Sequence, residues 1–139
     1  MTPEPQRKAP TAPASDVRET RAASVWADAR GIHHVRMKAV GRFTLDDARA
    51  LHVLRTELSG GRPTPLLVDI GAGTMPTADA RAFGRTAEAV ALTRALALVS
   101  PSRAIRLLGN AALSLFRGTY PTRIFSDEGL ALAWLEEHR

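Results

Sequence analysis

The sequence predicts an α/β domain built on a mixed sheet, and three observations lead there. Two short continuous apolar runs, Leu66-Leu67-Val68-Asp69-Ile70 and Ala95-Leu96-Ala97-Leu98-Val99, have the make-up of central strands covered on both faces. Amphipathic helical patterns separate them, each opened by a capping residue. Strands alternating with helices imply parallel neighbours, because each crossover helix returns the chain in the same direction.

Residues 1–21 carry Pro3, Pro5, Pro10 and Pro13 among small and charged residues. Such a segment buries too little to offset its ordering entropy, so a disordered tail is expected, with the domain spanning 22–139. The first ordered unit reads as a hairpin, Ser24–Asp28 and Ile32–Lys38, with Asp28 to Gly31 supplying the turn. His33 and His34 then fall on opposite faces of one strand and cannot readily share a metal ion.

Thr44 caps the first helix, with Asp46 and Asp47 at its positive end. Leu45, Ala48, Leu51, Leu54 and Leu58 form its apolar face, and Gly60-Gly61 stops it. After the first central strand comes the Gly71–Pro76 loop. Thr77 then caps a second helix whose face is Ala80, Phe83, Ala87 and Val90. Ser102 caps a third, with Ile105, Leu108, Ala112 and Leu115 inward. Thr122–Phe125 forms the last strand, and Ser126 caps a final helix packed through Leu130, Ala133 and Trp134. The expected order is β-β-α-β-α-β-α-β-α.

Composition narrows the chemistry. The 139 residues include no cysteine, which excludes disulfides and thiolate catalysis. No apolar run approaches the roughly 20 residues needed to span a bilayer, and no secretory leader is evident, so a cytoplasmic protein is expected. The formal charge of +5 is spread along the chain without interleaved aromatics, which argues against specific nucleic-acid binding. Four scattered histidines offer no metal-ligand spacing. Gly71-Ala72-Gly73-Thr74-Met75-Pro76 has Pro76 where a dinucleotide fingerprint needs glycine, and no phosphate-loop lysine follows. Neither a cofactor nor an enzyme is expected.

Val68-Asp69-Ile70 ending a central strand, Thr77 opening a helix with Ala80-Arg81 behind it, and Pro121-Thr122-Arg123-Ile124-Phe125 leading into Asp127-Glu128 and Ala133-Trp134-Leu135 together resemble the anti-sigma-factor-antagonist (STAS), or SpoIIAA-like, fold. More closely, residues 22–139 are similar to small uncharacterised bacterial proteins of that fold. The resemblance implies a regulatory protein-interaction module whose partner is a regulator or kinase, with self-association as a homodimer an option.

Switch-type members are phosphorylated on a Ser or Thr in an Asp-Ser-Ser-Gly-like turn before the helix that follows the central strand. Here that stretch reads Gly73-Thr74-Met75-Pro76-Thr77-Ala78-Asp79, without the acid, the paired serines or the glycine. Thr77 lies in the suitable place, with Thr74 nearby as a weaker candidate phosphosite, while a plain helix cap is the favoured explanation of Thr77. Thr77, Arg81 and Arg85 recur every four residues and should line one solvent-facing strip of the second helix. Arg103 and Arg106 on the third helix extend this expected interface. The alternative is a small anionic or lipidic ligand held by the 71–77 loop.

Overall fold

A computed structural model describes residues 16–71, 74–107 and 119–139. The sheet starts earlier than expected. β1 (Arg18–Glu19) pairs antiparallel with β2 (Ala23–Ala27), so residues 18–19 belong to the sheet and not to a tail reaching residue 21. A local turn explains this: the Thr20 hydroxyl accepts from Ala22 N and Ala23 N at 3.2 and 3.0 Å, and Arg18 reaches Glu57 at 2.6 Å.

The hairpin continues into β3 (His33–Met37). Its turn is held by the Asp28 carboxylate, which accepts from the backbone N–H groups of Arg30 and Ile32 at 2.8 and 3.1 Å. Gly31 sits at φ +84°, where a side chain would be strained. After the short strand β4 (Gly41–Phe43), Thr44 opens α1 (Leu45–Ser59) with a reciprocal capping box to Asp47. Gly60, left-handed at φ +65°, ends it.

β5 (Thr64–Asp69) runs parallel to β3. It begins before the apolar run and contains Pro65, which is tolerated because the pairing register shifts at Thr64/Pro65. The loop expected after it contributes β6 (Thr74–Pro76), which pairs with β4 in a separate two-stranded parallel sheet.

The second helix is two. α2 (Ala78–Phe83), capped by Thr77, stops at Gly84, and Thr86 caps α3 (Ala87–Leu92). β7 (Thr93–Val99) then lies parallel to β5. Residues 103–107 are helical (α4), and the Ser102 hydroxyl accepts from Ile105 N at 3.3 Å as a cap should. Leu108, Ala112 and Leu115 lie outside the described residues. β8 (Thr122–Phe125) pairs with β7 along one edge of the sheet.

Asp127, not Ser126, caps α5 (Glu128–Glu136), accepting from Leu130 N at 3.0 Å. That start sets which face turns inward. Ala131 and Leu135 are fully buried, while Leu130 and Ala133 point to solvent.

The main sheet has the order β1-β2-β3-β5-β7-β8, antiparallel at the hairpin end and parallel beyond β3. This is the mixed α/β arrangement predicted from the strand–helix alternation. Two cores cover its faces. Leu51, Leu54 and Leu58 of α1 pack on Val25, Val35 and Leu66. Ala131 and Leu135 of α5 pack on the other face with Ile32, Leu67, Ala95 and Ala97.

Candidate functional site

Thr77 closes the short sheet β4–β6 and opens α2. Its hydroxyl accepts from Ala80 N at 3.3 Å and donates to the Asp79 carboxylate, which itself accepts from Ala80 N at 2.9 Å. Hydrogen bonding from Thr77 holds the Asp79 carboxyl below the ordinary range. The end of the helix where an anion is favoured therefore already carries one, made by residue 79. Met75, two residues earlier, stands 58% exposed, and Arg81 is exposed on the first turns of α2.

Two expected site residues need correction. Thr74 is buried, donating its hydroxyl to Lys38 O at 2.5 Å and accepting from Val40 N at 3.2 Å. Those bonds tie β6 to the end of the hairpin and put the hydroxyl out of an enzyme's reach. Arg85 lies beyond Phe83 in the turn between α2 and α3, so Thr77, Arg81 and Arg85 do not share one helical strip. The break follows from Gly84, whose amide closes a tight turn onto Arg81 O at 3.2 Å.

Arg103 and Arg106 are gathered elsewhere. With Arg123, Phe125, Leu107 and Leu130 they line a shallow concavity of about 410 Å³ between α4 and the corner where β8 meets α5. Arg106 donates to Ser100 O at 3.0 Å, and the Arg123 guanidinium lies 5.4 Å from the Phe125 ring centre.

Two buried polar groupings were not foreseen. On the α1 face, Arg55 is 5% exposed and donates to His33 Nδ1 (3.2 Å), Thr93 Oγ1 (3.1 Å), Thr64 Oγ1 (3.1 Å) and Leu92 O (3.2 Å). No carboxylate ion-pairs with it among the described residues. Burial lowers the Arg55 guanidinium to about 10, and burial with the Arg55 charge beside it lowers His33 to about 4. An acceptor Nδ1 requires the neutral imidazole with its proton on Nε2.

On the α5 face, His34 Nε2 lies 2.8 Å from Asp28 Oδ2 and Nδ1 lies 3.6 Å from Glu128 Oε1. Burial pushes the Asp28 carboxyl up, but hydrogen bonds from His34, Ile32 N and Arg30 N outweigh it and bring it down to about 2. Asp28 is thus a carboxylate that can only accept, which fixes the His34 proton on Nε2. Trp26 stacks on His34 with centroids 5.2 Å apart, and Arg36 lies over the Trp26 ring.

The matched family model is Domain of unknown function (DUF7793), over residues 25–139. The chain belongs to this family. Among solved structures, an uncharacterised protein of the DUF3478 family with a SpoIIAA-like fold from Shewanella loihica PV-4 is 17% identical. The match covers 86% of this chain and 90% of that one, with a TM-score of 0.55. That likeness establishes the SpoIIAA-like fold expected from the order of elements. A protein of unknown function from Arthrobacter sp. FB24 is 29% identical, covering 85% and 95% of the two chains, with a TM-score of 0.29. No curated protein matches the chain.

For this DUF7793 member the geometry separates surfaces from supports. The Asp28–His34 pair is shaped like a catalytic dyad, but the His34 side chain is 1% exposed, stacks with Trp26, and borders a cavity of only about 20 Å³ that Asp69 and Glu128 also line. Among the described residues no three His, Asp or Glu side chains are grouped to hold a metal ion, and no helix is long and apolar enough to cross a membrane. Asp69, at the carboxyl end of β5, accepts from Gly71 N at 3.0 Å and so orders the following turn. The missed groupings had one readable sign. Arg55 follows Leu51 by four residues and precedes Leu58 by three, which places it on the apolar stripe of α1.

Proposed function

We propose that this protein is a non-catalytic regulatory module of the STAS type that binds a protein partner through the corner where β6 enters α2. The observation carrying this reading is Met75, a large apolar side chain standing 58% exposed beside the Thr77 cap and within a few residues of Arg81. Leaving such a side chain in water costs on the order of 1–2 kcal/mol relative to burying it, and methionine and arginine are both enriched in protein interfaces. The SpoIIAA-like fold supports a partner-binding role. The partner in this reading is a kinase or another regulator, and a second copy of the chain is the simplest alternative.

Phosphorylation of Thr77 would add negative charge beside Asp79 and remove the hydroxyl donor that Asp79 now uses. The modification would therefore loosen the first turn of α2 and act as a release signal at this surface.

The test pairs wild type with a Met75→Ser/Arg81→Glu variant. Both are used to capture partners from the native lysate, with self-association followed by sedimentation and phosphorylated residues mapped on the recovered chain. We expect the double variant to keep its unfolding midpoint and lose a specific partner, or lose self-association. A folded variant that retains every wild-type association removes this surface.

A further inference from the structure

Arg103, Arg106 and Arg123 converge on one concavity from α4 and β8, and none of them forms an ion pair among the described residues. Elsewhere Arg18 pairs with Glu57, Arg21 with Asp47 and Arg30 with Asp28, while Arg36, Arg42, Arg62 and Arg94 form no ion pair among the described residues; what sets the three apart is that they share one hollow. The two acids next in sequence are turned to other work. Asp127 caps α5 through Leu130 N at 3.0 Å, and Glu128 sits 3.6 Å from His34 Nδ1. Three arginines thus line one hollow with no acid among the described residues paired to them.

Apolar exposure coincides with this charge. Four large apolar side chains stand exposed among the described residues, Val53, Met75, Leu107 and Leu130, and the last two both line this concavity at 69% and 56% exposure. Arg123 is also oriented in advance by lying over Phe125 at 5.4 Å, and Arg106 by its bond to Ser100 O. Ordering the guanidiniums before binding lowers the entropic cost of engaging a carboxylate. The hollow is shallow and open, whereas sites for small molecules enclose most of their ligand.

We propose that this concavity docks an acidic peptide segment of a partner protein. One apolar side chain of the segment would rest between Leu107 and Leu130, with flanking carboxylates on Arg103, Arg106 and Arg123. Charge complementarity selects the occupant: a basic or uncharged segment leaves three guanidiniums uncompensated. The inference rests on the interaction-module reading and adds a second surface to it, distinct in residues from the Met75–Arg81 corner.

The experiment pans a phage-displayed random dodecapeptide library on the immobilised full-length protein and measures the enriched peptides by fluorescence anisotropy. Enriched sequences are expected to hold at least two acidic residues around an apolar one. Their affinity should fall about tenfold or more in Arg103→Glu/Arg123→Glu, fall less in Leu130→Ser, and weaken with added salt. All three positions are exposed, so the unfolding midpoints should stay close to wild type. Enrichment of basic or neutral sequences, or equal binding by the folded arginine variant, overturns the proposal. So does an absence of enrichment. Complete displacement of the peptide by low-millimolar inorganic phosphate overturns it in favour of a small-anion site. Acidic peptides lost only in Met75→Ser/Arg81→Glu would sink this surface while leaving the interaction reading intact. Peptides lost only in the arginine variant would uphold the concavity whatever becomes of the α2 corner.

Discussion

Protonation of His33 should make this fold measurably acid-sensitive at pH values well above the carboxylate range. The imidazole is 1% exposed, accepts from Arg55 at Nδ1, and ionises at about 4 against 6.5 for a free histidine. Because its native value is depressed, the unfolded chain takes up the proton first. Stability is therefore full above pH 6.5 and declines as pH falls toward 4. At about 1.36 kcal/mol per pKa unit, the whole shift corresponds to roughly 3 kcal/mol, of which about 2.5 is lost by pH 4.5. With a urea slope of about 1–3 kcal/mol per molar, the midpoint should fall by about 0.8–2.5 M between pH 7 and 4.5. The comparison is a His33→Asn variant, whose amide oxygen can take the place of Nδ1 as an acceptor but does not titrate. Its urea midpoint should start lower than wild type at pH 7 and change much less with pH. Parallel curves for the two proteins would show that His33 is not held neutral by its burial and by Arg55, and the reasoning would fail.

Other expectations follow from single side chains. Arg55→Met should cost about 2–4 kcal/mol in urea unfolding, because it strips the donor from a buried carbonyl and a buried imidazole, and Arg55→Lys should recover little because an ammonium lacks the planar fork that meets four acceptors. Asp28→Asn should cost about 1–2 kcal/mol at neutral pH and flatten the stability profile between about pH 4 and 2, since the native carboxyl ionises near 2 and its contribution is lost as pH falls through that range; a pH series of thermal melts reads this. Gly60→Ala should lower stability by about 1 kcal/mol, because the end of α1 needs φ +65°; a denaturant midpoint equal to wild type would refute it.

What could be read from the chain, and what could not, divides along physical lines. β5 and β7 were legible because strands covered on both faces become continuous apolar runs, and their edges are marked by Gly, Pro and Ser. Thr44, Thr77 and Ser102 announced their helices because a cap is a local device, written within four residues. β4 and β6 escaped notice because three residues are too few to show a period, and their pairing joins positions more than thirty residues apart. The split of the second helix hung on Gly84, whose effect as a stop depends on the turn it closes. The candidate site was legible only as a list of arginines. Sequence spacing joined Arg81 to Arg85, whereas the fold joins Arg103 and Arg106 to Arg123, a residue on a strand that no helical spacing could have linked to them. Arg55 and His33 were the hardest to foresee, since a charged residue on a helix usually marks the solvent side.

The bonds that converge on Arg55 also have an evolutionary consequence. One guanidinium reads the relative positions of β3, β5, the end of α3 and the start of β7 at once, through His33, Thr64, Leu92 and Thr93. A substitution at any one of these side chains leaves the others mismatched, so lineages that discard the arginine should discard the acceptor side chains with it and fill the space with aliphatic ones. Positions 33, 55, 64 and 93, far apart in the chain, are thus expected to change together as one heritable unit, while Met75 and Leu130 at the surface drift independently of them.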